Sequence, residues 1–396
     1  MANDIISSIF ELLAEYVSGD DISAVSDSTW HGSCLALAEL SRRGLLLPDM
    51  LKDIMPTVIL ALRFDQKKGN HSIGAHVRDA ACYVCWSFAR AYEPNIMRPF
   101  VADMANALVV VSVFDREINI RRASSAAFQE NVGRQGTFPH GIDIITTADY
   151  FTVGNRAKSF LEIAVEISKY SEYRLHMIQH LTNTTIVHWD KNMRELAAET
   201  LRKLCVADSE YVIKNTLPKL AEGALNKDLV IRHGCLIGIG RICASLAKTL
   251  DLDIDTITLV QGVLDDYPKE YLDNLGSDLT RIAICRYIEC LSSCKWEISH
   301  ARRLHWLSIL ESSLDRKDED LQLAVSIATG RFSDSYGLKD DELARFLEMT
   351  TSISYGCFRR RGYSLVLGEI NHAIFERNSR KMIEALAEAA KVHVRF

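Results

Sequence analysis

The sequence is poor in residues that interrupt helices, with 7 prolines and 20 glycines in 396 residues. So few breakers exclude an architecture of short strands and tight turns and favour helices. Long basic runs are also missing. The densest is Arg359-Arg360-Arg361, and the formal net charge is −6 with a pI near 6.1, so no nucleic-acid partner is expected. The ten cysteines (Cys34, Cys82, Cys85, Cys205, Cys235, Cys243, Cys285, Cys290, Cys294 and Cys357) form no disulfide framework. Most sit in apolar stretches, where a thiol behaves as a small hydrophobe, and this usage points to a reducing, cytoplasmic setting. The longest apolar run, Ala105 to Phe114, is interrupted by Asn106 and Ser112, so no membrane span is expected. The first residues carry no basic flank and meet acids at Glu11 and Glu15, unlike a signal peptide.

What the chain does have is repetition. A turn, an aliphatic residue, a base and an alanine-rich stretch recur at His76-Val77-Arg78-Asp79-Ala80, Asn119-Ile120-Arg121-Arg122-Ala123, Asn192-Met193-Arg194-Glu195-Leu196 and Val230-Ile231-Arg232-His233-Gly234. Weaker copies surround Arg281 and Gln322, an early one starts at Trp30 and a late one at Arg360-Arg361. Neighbouring copies lie roughly 38–49 residues apart, the period of HEAT and armadillo repeats. The step from Arg121 to Arg194 is nearly double and must hold an insertion or a degenerate unit.

Each copy follows a second amphipathic segment, among them Met50–Leu62, Ile96–Val111, Leu175–Thr185, Ile213–Leu225 and Leu304–Leu314. Paired helices that bury their faces only by stacking on neighbours give an all-α, HEAT/armadillo-type solenoid of about eight helix pairs. A loop insertion follows the third pair. The divisions expected are repeats over 1–132, an inserted loop over 133–156, and repeats continuing the same solenoid over 157–396. Asp190 and Asp228 precede the recurring Arg by four residues and can cap the helix, while the Arg is placed to reach a carboxylate in its own or the next repeat. The first segment, Ile5–Val17, and the last, Met382–Val394, read as ordinary members of an array, so a longer solenoid is expected.

The most irregular stretch runs from Ala126 to Asp143 and on through Arg156, broken by Gly133, Gly136, Pro139 and Gly141. Loops on a rigid scaffold commonly carry binding groups. Arg134, Gln135, Phe138, His140, Asp143, Tyr150 and Phe151 are therefore the candidate partner-contact residues, with internal hydrogen bonding of the loop as the competing reading. No partnered nucleophile or second acid accompanies His140 and Asp143, so no catalytic site is expected.

Arg78-Asp-Ala-Ala-Cys-Tyr-Val-Cys-Trp-Ser-Phe-Ala-Arg-Ala-Tyr-Glu-Pro94 and Phe128-Gln-Glu-Asn-Val-Gly-Arg-Gln-Gly-Thr-Phe-Pro-His-Gly-Ile-Asp143 resemble the middle of the tubulin-specific chaperone D family. Trp30-His-Gly-Ser-Cys34, His188-Trp-Asp190, Arg194-Glu-Leu-Ala-Ala198 and Arg232-His-Gly234 extend the likeness from about Trp30 to Arg241, and it weakens beyond. The resemblance implies a HEAT-repeat scaffold rather than an enzyme. It also implies β-tubulin as partner, together with tubulin cofactors C and E and an Arl-type small GTPase. With them, family members assemble and dismantle the αβ-tubulin dimer and promote tubulin GTP hydrolysis, in association with the microtubule cytoskeleton. A generic HEAT-repeat adaptor, such as a transport receptor or phosphatase scaffold, is the alternative.

Other patterns carry weaker chemistry. Cys82 and Cys85 form a Cys-x-x-Cys pair with no second pair nearby, and read as core rather than as redox or zinc ligands. Gly133, Gly136 and Gly141 lack the Gly-Lys-Ser/Thr of a phosphate loop, so no nucleotide cofactor is expected. Gly234, Gly238 and Gly240 read as close helix packing. Tyr83, Trp86, Phe88 and Tyr92 read as inter-repeat core. The arginines 359–361 read as a solvated helix end, or as a contact to an acidic surface.

Overall fold

In the computed structural model, residues 26–69, 71–274, 276–352 and 356–391 are described. They are almost wholly helical and fall into two compact units, divided between Thr185 and Ile186. The expected helix Ile5–Val17 and the end of Met382–Val394 lie outside the described residues.

In the first unit, α1 (Asp27–Arg42), α2 (Leu51–Ala61), α3 (Ala75–Ala91), α4 (Val101–Phe114) and α5 (Ile118–Gln135) follow one another. The second helix of each repeat stacks on the next, α1 on α3 and α3 on α5, while α4 packs against α5. Three-residue strands at Gln66–Lys68 and His71–Ile73 make a small antiparallel hairpin before α3. In the segment 133–156, expected as an inserted loop, turns alternate with short helical pieces. It holds the end of α5, a short helix α6 (Gly141–Thr147) and a 3-10 turn at Thr152–Gly154. The long step between Arg121 and Arg194 then contains helical residues 156–167 and α7 (Ser171–His180), each with a π-helical turn, Ser159–Ile163 and Leu181–Thr185. This is a helix pair without the repeating arginine.

The second unit continues with α8 (Lys191–Leu204), α9 (Leu217–Gly223), α10 (Leu229–Leu246), α11 (Ile254–Gly262), α12 (Ser277–Ser293), α13 (His300–Leu314), α14 (Glu319–Tyr336), α15 (Asp340–Thr351), α16 (Cys357–Glu369) and α17 (His372–Ala389). Here α8, α10, α12, α14 and α16 stack in succession, with α9, α13 and α15 laid against α10, α14 and α16. Each unit is thus an armadillo/HEAT-type array whose core lies between successive helix pairs.

The recurring arginine is buried in every strong copy. Arg78, Arg121, Arg194 and Arg232 are 5%, 2%, 2% and 6% exposed. Arg78 does find a carboxylate, donating to both oxygens of Asp115 at 2.6 and 3.1 Å and to the Phe64 carbonyl at 2.6 Å. The other three correct the expectation, because they bind backbone carbonyls of the turn before their own helix. Arg194 donates to His188 and Trp189 oxygens at 2.7 and 3.0 Å, and Arg232 to Asn226 and Lys227 oxygens, both at 2.9 Å. Arg121 takes Asp115 and Arg116 in the same way and adds Val153 and Gly154. Turn carbonyls buried by the next repeat need a donor, and a guanidinium supplies several at once. Gln322 substitutes in its copy, its Nε2 donating to Arg316 and Phe358 oxygens, both at 2.8 Å. Asp190 and Asp228 cap α8 and α10 by accepting from Asn192 and Val230 N–H groups at 2.9 and 2.7 Å.

Close approach explains the glycine of the Arg232-His-Gly copy. A Cβ on Gly234 would stand 1.7 Å from the Ile186 carbonyl oxygen, so no other residue fits. Cys82 and Cys85 are core. Burial drives the Cys85 thiol up to about 12 and the Cys82 thiol well above its usual range, so neither offers a thiolate. The stretches Pro94–Phe114 and Leu229–Leu246 have the length and apolarity of a membrane span, a test that the core helices of a folded array also pass. In the fold 61% and 67% of them are buried against neighbouring helices. The three arginines 359–361 are neither loose nor a free patch: Arg359 pairs with Asp315 at 2.9 Å, Arg360 donates to Ala389 oxygen at 2.8 Å, and Arg361 holds Gln322 and Glu319.

Removing one clamp should unsettle the second unit. Arg194→Ala strips donors from two carbonyls and from His233, so unfolding by urea is expected to show a loss of about 2–4 kcal/mol. An unchanged midpoint would contradict the clamp. The same network makes stability depend on pH. His233 Nδ1 accepts from Arg194 Nε at 3.1 Å, and burial first, then the Arg194 charge, lowers its pKa from 6.5 to about 3. The folded imidazole stays neutral while the unfolded one gains a proton below 6.5. Its contribution is therefore complete above that pH and is lost as pH falls toward about 3. By about pH 5 the loss is about 2 kcal/mol. Urea midpoints of the parent and of His233→Asn at about pH 7 and about pH 5 check this, with the variant expected to show the shallower slope.

Candidate functional site

The irregular stretch of the sequence is built from two interleaved i,i+4 pairs at the end of α5. Asn131 and Gln135 point inward. Asn131 Nδ2 donates to the Cys85 oxygen at 3.2 Å, and Gln135 Nε2 donates to Ala89 and Tyr92 oxygens at 2.9 and 2.8 Å. The Ala89 and Tyr92 oxygens are among those that the end of α3 leaves without a helix donor, whereas Cys85 lies inside the helix. Gly136 then closes α5 in the left-handed region at φ 63°, its N–H returning to the Val132 oxygen at 3.1 Å. Phe138 turns into the core, 5% exposed and edge-to-face with Phe128 at 5.0 Å. Gln135 and Phe138 are thus buried in the fold. Gln135 ties α5 to α3, and Phe138 packs on Phe128 of α5 itself.

Glu130 and Arg134, the other pair, face outward. Glu130 Oε1 accepts from Arg134 Nε and from Arg90 on α3, each at 3.1 Å. The Arg90 guanidinium lies 4.6 Å over the Trp86 ring, and Trp86 stacks on Tyr83 at 5.8 Å and 20°. Tyr83 donates to Glu39 on α1 at 2.9 Å, and Arg42 reaches both Glu39 and Tyr83 at 2.9 Å. The hydrogen bond from Tyr83, followed by the charge and bonds of Arg42, holds the Glu39 carboxyl below its usual range. A continuous stripe therefore runs over α1, α3 and α5: Arg42, Glu39, Tyr83, Trp86, Arg90, Glu130, Arg134. Tyr83 and Trp86, expected in the core, are only half-buried, while Phe88 and Tyr92 are buried.

Beside the stripe opens a cavity of about 830 Å³, lined by Trp86, Glu130, Gly133, Arg134, Ile142 and Ile145 among others. A Cβ on Gly133 would meet nothing within 4 Å, so that glycine leaves the wall open. Ile142 on α6 is 73% exposed and also borders a smaller hollow of about 280 Å³ with His140 and Asp143. His140 sits in the left-handed region at φ 50°, stacked on Tyr170 at 4.0 Å, with Nε2 3.4 Å from Glu172. Tyr173 fixes this turn by donating to the Pro139 oxygen at 2.8 Å. Farther along, Tyr150 is 45% and Phe151 80% exposed, with Arg122 4.9 Å over the Tyr150 ring. Of the seven residues named from the sequence, Arg134, His140, Asp143, Tyr150 and Phe151 stay on the surface, and Trp86, Glu130 and Ile142 join Arg134 around the cavity.

The arrangement offers guanidinium, carboxylate and indole contacts, and no described group of three or more His, Cys, Asp or Glu could hold a metal ion. Aromatic, guanidinium and exposed apolar side chains of this kind can grip a partner surface.

Comparison with known proteins agrees with the residue pattern. Residues 1–142 match the armadillo repeats described as tubulin-specific chaperone D-like. Tubulin-specific chaperone D of Dictyostelium discoideum is 40% identical over 307 residues, 76% of this chain and 21% of that protein. Tubulin-folding cofactor D of Schizosaccharomyces pombe is 29% identical over 267 residues, 65% of this chain and 24% of that protein. The chain thus spans about a fifth to a quarter of the length of these relatives. Among solved structures, the karyopherin Kap121p bound to the extreme C-terminus of the protein phosphatase Cdc14p is 14% identical at a TM-score of 0.41, covering 96% of this chain and 43% of that one. Importin beta in an ammonium sulfate condition is 13% identical at 0.36, covering 98% and 44%. Over three quarters of its own length the chain is similar to tubulin-specific chaperone D.

Proposed function

We propose that this chain is a tubulin-handling segment that holds β-tubulin while the αβ dimer is assembled or taken apart. The observation that carries this reading is the 40% identity over 307 residues to a protein named tubulin-specific chaperone D. The chain acts as a scaffold. It promotes tubulin GTP hydrolysis only in company, with tubulin cofactors C and E and an Arl-type small GTPase completing the assembly. A cytoplasmic, microtubule-associated setting goes with this, in keeping with ten cysteines that are all free thiols.

The contact surface we assign is the stripe over α1, α3 and α5 with the cavity beside it. Aromatic and arginine side chains dominate binding hot spots; Trp86 and Arg134 line an open hollow here, with Arg90 over the Trp86 ring. Ile142 and Phe151 add exposed apolar area that the unit leaves uncovered.

The chain, immobilised and exposed to soluble tubulin, is expected to retain it. A Trp86→Ala, Arg134→Glu, Ile142→Asp variant should retain at least about tenfold less, since each hot-spot loss costs more than about 1 kcal/mol. The three positions are exposed or half-buried, so circular dichroism and melting should match the parent. Capture by the variant equal to the parent's would remove the stripe as the contact. Failure of the parent to capture tubulin would remove the function itself from this segment.

A further inference from the structure

The turn between α6 and the helical residues 156–167 presents two aromatic side chains, Tyr150 at 45% and Phe151 at 80% exposure. Their rings meet edge to face at 5.5 Å and 82°, the two walls of an apolar corner. The turn beneath them is bolted down. Asp149 Oδ1 accepts from the Phe151 and Thr152 N–H groups at 2.6 and 3.1 Å, and the Thr152 hydroxyl donates to the Thr147 oxygen at 2.9 Å. From α5, Ser125 donates to the Ala148 oxygen at 2.7 Å, and Arg121 to the Val153 and Gly154 oxygens at 2.7 and 2.9 Å. Arg122 Nε donates to the Tyr150 oxygen at 3.2 Å while its guanidinium lies over the Tyr150 ring. Gly154 leaves room for that arginine, since a Cβ there would stand 3.1 Å from Arg122 Nη2. The aromatic pair is thus in place before a partner arrives, which lowers the ordering cost of docking.

Positive charge gathers at the same turn without acid to match it. Arg122, Arg156 and Lys158 form no ion pair among the described residues. Acids of the adjoining turn between α4 and α5 are already engaged, Asp115 with Arg78 and Glu117 with Arg116, both at 2.6 Å. Asp149 holds the turn's own N–H groups, and Glu162, one helical turn beyond Lys158, makes no ion pair with it. Such a surface is complementary to carboxylates. Two other anions fit it poorly. A bilayer anchor needs more than these two rings and three cations supply, since even a whole myristoyl chain binds only marginally. Nucleic acid calls for a basic stripe, whereas the chain has a net charge of −6.

We propose that the Tyr150–Phe151 turn docks an acidic segment of a partner protein. An aliphatic side chain of the segment enters the corner between the two rings, and carboxylates on either side of it meet Arg122, Arg156 and Lys158. Arg122 and Arg134 stand about 18 Å apart along α5, so the turn is a second contact on this unit. It works whether or not the stripe holds tubulin.

The test uses the full chain and fluorescein-labelled octapeptides read by polarisation. One peptide carries a leucine between pairs of glutamates in a glycine–serine frame; controls replace the glutamates by glutamines or the leucine by serine. Saturable binding of the first peptide is expected, at least tenfold weaker for each control. Chains carrying Phe151→Ser, or Arg156→Glu with Lys158→Glu, should lose as much while melting like the parent. A Trp86→Ala, Arg134→Glu chain should bind the peptide as the parent does, which keeps this contact distinct from the stripe. Equal binding of the glutamine peptide, no binding up to about 1 mM, or unchanged binding by either turn variant would overturn the proposal. So would loss of binding in the Trp86→Ala, Arg134→Glu chain, displacement of the peptide by phosphatidylserine vesicles, or a self-association that Phe151→Ser dissolves.

Discussion

The structure depends on how a buried arginine closes the turn between the two helices of a repeat. Stacking one pair on the next buries the turn carbonyls, which no helix can satisfy. Arg121, Arg194 and Arg232 each reach back five and six residues to those oxygens. A guanidinium suits this task because its donors form a planar fork and it never loses its proton. The charge still needs compensation. Arg78 takes the Asp115 carboxylate, whereas Arg232 lies 4.0 Å over the Tyr271 ring. Arg194 has a neutral histidine as acceptor, which is why acid and the clamp are linked.

Regularity of the clamp frees the opposite side of each stacked helix. On α5 the inward positions Arg121, Ala127, Phe128, Asn131 and Gln135 are all buried, and the outward Glu130 and Arg134 carry no structural duty beyond each other and Arg90. The most irregular motif of the chain is therefore half latch and half surface. Its glycines divide the same way: Gly136 makes the turn that ends α5, while Gly133 only keeps a wall low.

Much of this is readable from residue order. The repeat, its period and the burial of its arginines follow from spacing, and so do the capping aspartates before Asn192 and Val230. The arginines' partners do not, since spacing reveals a donor's position but not the shape of the turn it faces. The Gly/Pro-rich stretch reads as loop because its breakers are conspicuous, yet they cluster at the end of α5 and the start of α6, with only 136–140 as turn between them. Gln135 and Phe138 look free for the same reason, although Phe128, Asn131 and Gln135 already stand at helical spacing on the buried side. Trp86 escapes notice from the other direction. Val84, Cys85 and Phe88 form the core edge of α3, and Tyr83, Trp86 and Arg90 make a second edge at i, i+3, i+7 that the apolar count conceals. The pair between Arg121 and Arg194 is invisible as a repeat because it has no arginine and turns through π-helical geometry.

The stripe also constrains what kind of affinity it can support. Its charges are already paired within the chain, Arg42 with Glu39 and Tyr83, and Arg90 and Arg134 with Glu130. Such pairs are exposed and worth little in themselves, but they hold long side chains in one place and so lower the ordering cost of docking. A partner that met these residues would exchange existing contacts for new ones, and the net electrostatic gain would be small. Most of the binding energy has to come from surface that is uncompensated now: the Trp86 face and Ile142 at 73% exposure. Charge on this face then sets orientation and encounter, while the apolar side chains around the open wall at Gly133 set how long the partner stays.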